Sequence, residues 1–164
     1  MRRWLLPAIS VGLFALSLCL PAVDFWKGCG GGAETGRSGS LFGQGTGPME
    51  TWFGWELFLR GPLAIMVMQP GALGWLATPV GAVVLVLRGL GRRVPLALPA
   101  AAVVLAILGP YLTDLFPLPV NDGNACHLAA AGPRLGYWVW LMAIVVAALS
   151  AWPVSRNHTA KVPR

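Results

Sequence analysis

Charge is what this sequence has least of. Its 12 Lys and Arg and 6 Asp and Glu make up 11% of 164 residues, against roughly 25% in an ordinary soluble domain. A soluble fold of this length could not cover its surface with so few charges. Cysteine is also scarce, with three in the chain, which excludes a disulfide-rich miniprotein. Two histidines leave little for catalysis. The composition fits neither a disordered chain nor a coiled coil. What is abundant is apolar: 56% of residues, with a mean hydropathy of +0.67 over 17.3 kDa. The sequence therefore predicts a single-domain integral membrane protein.

Four runs are long and apolar enough for helices that cross a bilayer: about Trp4 to Val23, Pro70 to Leu87, Val94 to Thr113 and Leu135 to Trp152. A span needs about 20 such residues, because a rise of about 1.5 Å each must cover roughly 30 Å of hydrocarbon. A fifth stretch, Thr51 to Met68, contains Glu56, Arg60 and Gly61-Pro62. If it does not cross, Arg2, Arg3, Arg88, Arg92, Arg93, Arg156, Lys161 and Arg164 all fall on one side, and all six acids fall on the other. If it crosses, eight basic residues lie outside. The positive-inside rule prefers the first arrangement. Arg2, Arg3, Arg88, Arg92 and Arg93 thus set the topology. Both termini are expected in the cytoplasm of a bacterial cell, with the chain in the inner membrane. Trp4 and Trp152 then mark the inner interface, and Phe25, Trp26, Trp75, Tyr137 and Trp138 the outer one.

The first run also has the shape of a secretory signal, but Leu20 fits poorly before a cut after Ala22. An uncleaved span is the expectation. Residues 24 to 50 read as a Gly-rich outer loop, and 153 to 164 as a cytoplasmic tail. Gly31 to Ser38 nearly matches a phosphate-binding loop, with Arg37 in place of Lys, but lacks the strand before and the helix after that such a loop needs. Asn121-Asp122-Gly123-Asn124 signals a turn, without the spaced carboxylates of a calcium loop. Cys126-His127 ends like a haem-attachment motif whose first Cys is absent. The stretch from Thr51 to Met68 reads as an interfacial or re-entrant helix broken at Gly61-Pro62. Glu56 and Arg60, four apart, can form an ion pair on one face.

Cys29 and Cys126 both fall in outer loops. An oxidising periplasm would let them bridge; otherwise they are separate thiols. No ionisable side chain lies at mid-depth of a span, which argues against a proton relay. Thr78-Pro79 and Gly109-Pro110 can kink their spans. Ala143, Ala147 and Ala151, Ala77 with Gly81, and Ala102 with Ala106 repeat every four residues, a spacing that suits close helix contact.

The pieces Leu20-Pro21-Ala22-Val23-Asp24, Gly54-Trp55-Glu56-Leu57-Phe58-Leu59-Arg60-Gly61, Trp75-Leu76-Ala77-Thr78-Pro79 and Gly136-Tyr137-Trp138-Val139-Trp140-Leu141 resemble small uncharacterised bacterial inner-membrane proteins with four predicted transmembrane helices. Such proteins more often carry Asn at the position of Thr78, and their outer loop is shorter. The resemblance implies a membrane protein of unknown role and supplies no catalytic residues. The expected fold is therefore an all-α four-transmembrane-helix bundle, with an extra interfacial or re-entrant helix in the first outer loop. The expected role is a non-enzymatic accessory or interaction subunit of an inner-membrane assembly. No catalytic, cofactor or metal residues are assigned, and the partners are the lipid bilayer and other membrane subunits rather than nucleic acid. A small transporter or channel component, and a membrane thiol-redox protein or enzyme, stand as alternatives.

Overall fold

The computed structural model describes residues 2–29, 49–66, 68–116, 118–119 and 126–151. Helix α1 spans Arg2–Leu18, α2 Gly54–Met66, α3 Ala77–Gly89, α4 Ala97–Leu115 and α5 Leu135–Ala151. A 3-10 segment, Pro70–Leu76, leads directly into α3. Four strands, β1 Pro21–Cys29, β2 Met49–Phe53, β3 Leu118–Pro119 and β4 Cys126–Pro133, form one antiparallel sheet in the order β2-β1-β4-β3. The expectation of an all-α chain is therefore wrong: the fold is mostly helical with a small sheet.

Helices α1, α3, α4 and α5 pack together, and the sheet joins them at one end. Helix α1 runs into β1, β4 runs into α5, and the outgoing end of α4 leads to β3. Thr78 at the start of α3 lines the same cavity as Ala22 of β1 and Ala130 of β4. At the other end, Gly89 closes α3 near the ring of Trp4, which a Cβ at Gly89 would meet at 3.5 Å. Successive helices of the four thus run in alternate directions. Two of the helical segments, Pro70–Gly89 and Ala97–Leu115, are long and apolar enough to cross a membrane.

The first apolar run ends earlier than its hydropathy suggests. Leu18 is the last residue of α1, and the expected boundary at Val23 lies inside β1. The cause is local. Pro21 biases Leu20 away from helical dihedrals, and Cys19 and Leu20 donate short i-to-i−3 bonds to Leu16 and Ser17 that tighten the last turn. The chain then leaves as a strand whose register shifts between Pro21 and Val23. The span expected at Val94 starts at Ala97, after Pro95, and runs on to Leu115. The segment expected as one outer loop, 24–50, supplies the rest of β1 and the first two residues of β2.

The helix expected over 51–68 begins at Gly54, because Thr51 to Phe53 pair with β1. It does not break at Gly61-Pro62 but continues to Met66. A proline inside a helix removes one backbone bond, a loss of about 3 kcal/mol. Here the preceding Gly61 is buried, and a Cβ in its place would overlap the ring of Trp75. Packing of α2 on the 3-10 segment holds the helix through the proline.

Two cores result. One joins Ala22, Val23, Phe25, Trp52, Leu128 and Ala130 of the sheet to Leu57 of α2 and Ala72. The other joins Ala77, Ala102, Ala106 and Ile144 of α3, α4 and α5. The expected small-residue faces lie inside the bundle: Ala143, Ala147 and Ala151 are all buried, as are Ala102 and Ala106. Small side chains there let the backbones approach closely. The outward faces are apolar too. Val83, Val86, Val104, Ile107, Met142 and Leu149 are exposed.

Candidate functional site

The ends of the helices, the sheet and α2 converge on one cavity of about 90 Å³. Phe14 and Ser17 reach it from α1, Leu57 and Phe58 from α2, and Pro110 and Thr113 from α4. Tyr137 and Trp140 of α5 close another wall, and Ala22, Phe25 and Ala130 form the roof supplied by the sheet. The lining is overwhelmingly carbon. Its few polar atoms are engaged elsewhere. Ser17 donates to the carbonyl of Phe14 at 2.7 Å, and Thr113 bonds the carbonyls of Gly71 and Gly109 at 2.9 and 3.0 Å. The Trp140 indole N–H donates to Thr78 Oγ1 at 3.1 Å.

One of these bonds repairs a backbone defect. Pro110 has no N–H, so the carbonyl of Ala106, four residues earlier, lacks its helical donor. Tyr137 Oη donates to that carbonyl at 2.9 Å. The hydroxyl of α5 therefore caps the gap in α4 and fixes how the two helices meet. Tyr137→Phe is expected to destabilise the protein by about 1–3 kcal/mol, the usual loss when a buried acceptor is left without a partner. In a Pro110→Ala background the restored N–H should satisfy Ala106, so the same substitution should lose much less. A double-mutant cycle by thermal unfolding measures this coupling. An equal loss in both backgrounds would discard the repair.

A second constellation sits on the sheet. Asp24 is 5% exposed. Its carboxylate accepts from Thr51 Oγ1 at 2.7 Å and from Arg134 Nε in a short charge-assisted bond. Thr51 comes from β2 and Arg134 from the turn between β4 and α5, so one carboxylate ties both neighbours to β1. Both oxygens are occupied by donors, which suits a structural clamp rather than a proton acceptor. Asp24→Ala removes the acceptor for both, and is expected to lose about 2 kcal/mol. That is below the 3–5 kcal/mol of a fully buried pair, because the Arg134 side chain is 56% exposed and partly screened. Chemical denaturation measures it; a change under 0.5 kcal/mol, the scale of an ordinary surface substitution, would mean the clamp holds nothing.

Glu56 and Arg60 lie on one face of α2 with 4.0 Å between their charged atoms. Both have a further role. Glu56 Oε2 accepts the backbone N–H of Phe53 at 2.8 Å, the return half of a capping box that starts α2. The Arg60 guanidinium stacks 4.3 Å from the centroid of Trp52, a cation–π contact that pins α2 to β2.

Cys29 and Cys126 stand directly opposite each other in the register of the two central strands. Arg2 and Arg3 open α1, and Arg88, Arg92 and Arg93 flank the α3–α4 connector, at the end of the bundle away from the sheet. Gly31 to Ser38, Asn121 to Asn124 and the tail with His158 lie outside the described residues. Among the described residues no group of three or more His, Cys, Asp or Glu is placed to hold a metal ion. The cavity, the Asp24 clamp and the Tyr137 repair were not apparent from the sequence. Only the last left a trace there, as a proline in an apolar run that needed a donor from another.

No protein-family model matches the chain, and comparisons with curated proteins and with solved structures yield no match.

Proposed function

We propose that this chain is a small multi-pass protein of the bacterial inner membrane, acting without catalysis of its own as an accessory or interaction subunit. The observation that carries the reading is the distribution of side chains. The outer faces of the helices expose Val86 (60%), Val104 (53%) and Leu149 (55%), surfaces that water would penalise and lipid would not. Among the described residues the acids are confined to one end. Arg2, Arg3, Arg88, Arg92 and Arg93 occupy the other end with no acid beside them, while Asp24, Glu50 and Glu56 share the sheet end with Lys27, Arg60 and Arg134. That sorting supports four spans with the sheet and α2 on the periplasmic side and both termini cytoplasmic. Helix α2 then lies at the outer interface, with Trp55, Leu59, Leu63 and Met66 exposed. Among the described residues no further strand pairs with the sheet's edges, β2 and β3, and such edges are templates for a partner strand.

Two measurements test this. Leu90→Cys, in a chain whose own cysteines are Ser, places a thiol in the exposed connector. It should resist an impermeant reagent in intact spheroplasts and react after permeabilisation; reaction from outside overturns the topology. Cross-linking in native membranes followed by mass spectrometry should recover a defined partner in a mild detergent. Recovery of the chain alone, at native expression, removes the accessory role.

A further inference from the structure

We infer that the cavity beneath the sheet is a binding site for a single hydrocarbon chain of a membrane lipid, entering sideways between α1 and α2. The inference rests on the membrane reading above and adds a ligand to it.

Size argues for a chain. An apolar cavity of roughly 150 Å³ accepts benzene; this one, at about 90 Å³, is smaller than that and suits a few methylenes of a thin chain. Chemistry argues for hydrocarbon. The polar atoms of Ser17, Thr113, Tyr137 and Trp140 that face the cavity already bond within the protein. A polar ligand would meet only the Thr78 hydroxyl, whose oxygen already accepts from Trp140, and a water would lack the two to four partners it needs.

The geometry also gives a way in. Most lining side chains are buried or half-buried, but Phe58 is 48% exposed. Its ring meets that of Phe14 edge to face, with centroids 5.9 Å apart. This pair bridges α1 and α2 over the least covered wall. Beside it, α1 exposes Val11 and α2 exposes Leu59. The mouth therefore opens on an apolar surface. A rotation of Phe58 about its own side-chain bonds widens the mouth without moving a helix.

The test is photo-labelling of the purified full chain in liposomes with a phospholipid carrying a diazirine on one acyl chain, and separately with a prenyl phosphate carrying a diazirine on its chain. Labelled residues are mapped by mass spectrometry. The expected result is adducts on Leu57, Trp75 or Trp140 inside the cavity, together with adducts on Val86 or Leu149 of the outer belt. Whichever probe reaches the cavity names the chain type. Ala130→Leu, which fills the roof, should reduce cavity adducts about tenfold, equivalent to about 1.4 kcal/mol of binding, and leave belt adducts unchanged. Belt adducts without cavity adducts in the unaltered protein overturn this inference while the membrane reading stands. Loss of adducts from both places overturns the membrane reading itself. Cavity adducts undiminished in a folded Ala130→Leu protein also sink the inference, because the label would then have arrived by another route.

Discussion

Gly74→Ala is expected to unfold the junction between the 3-10 segment and α4. A Cβ at this position would stand 2.3 Å from the Cα of Gly109. Carbon atoms at rest keep roughly 3.5–4.0 Å, so the two backbones would have to separate by more than an ångström. No side chain can rotate to relieve this, since the obstacle is backbone on both sides. The separation would also strain the Thr113 bond to Gly71 and disturb the wall that holds Gly109 and Pro110 against the cavity. Overpacking of an interior usually costs about 1–3 kcal/mol, and this site belongs at the top of that range. Gly12→Ala is the control. Nothing lies within 4 Å of a Cβ at Gly12, and removing a glycine from a helix interior should stabilise by about 0.5–1 kcal/mol. The two substitutions add the same methyl group, yet should move thermal unfolding in opposite directions. Equal melting temperatures would falsify the close Gly74–Gly109 crossing.

The same crossing shows why some of this fold could be read in advance and some could not. Length and hydropathy are properties of a single run, so the segments 70–89, 97–115 and 135–151 were legible within a few residues. The Glu56–Arg60 spacing was legible for the same reason, since both lie on one turn of one helix. The sheet was hidden. Strand β4 reads Cys-His-Leu-Ala-Ala-Ala-Gly-Pro, and Ala, Gly and Pro are depleted in strands. Its partner β1 lies about a hundred residues earlier and continues an apolar run, so Ala22, Val23 and Phe25 resembled the tail of a span. Asp24 was the dissenting residue. It is buried because Thr51 and Arg134 come to it from 27 and 110 residues away, and no local pattern announces such a meeting. The cavity belongs to the same class: it is what remains when helices, sheet and α2 fail to fill the space they enclose, and only the fit of those elements determines it.

Protein prepared without reductant is expected to hold Cys29 bonded to Cys126. The strands carrying them are antiparallel neighbours, and the register sets the two residues face to face at the far end of the ladder. Opposed residues in such a ladder have Cα atoms about 4.5–5.5 Å apart, within the 4.4–6.8 Å that a disulfide usually spans. Cys19, exposed at the end of α1, should remain a thiol and be the one site that an alkylating reagent modifies in the native protein. The bridge would close a loop of roughly a hundred residues, for which the chain-entropy treatment gives up to about 4.7 kcal/mol. The rest of the β1–β4 ladder already restrains the same strands, so about 3 kcal/mol is the expected loss on reduction. Cys29→Ser, Cys126→Ser and the double variant should all melt at the same lowered temperature, because either change opens the same loop. The bond also reports on orientation. It forms where the compartment is oxidising, so its presence in protein quenched with acid straight from cells is what a periplasmic sheet requires. Three alkylatable thiols in that quenched sample, with no mass gained on prior reduction, would mean either that the strands do not meet at this register or that the sheet faces the cytoplasm. Oxidation of the purified protein separates the two: a bridge that then forms cleanly keeps the register and reverses the topology, whereas intermolecular products or none would remove the register itself.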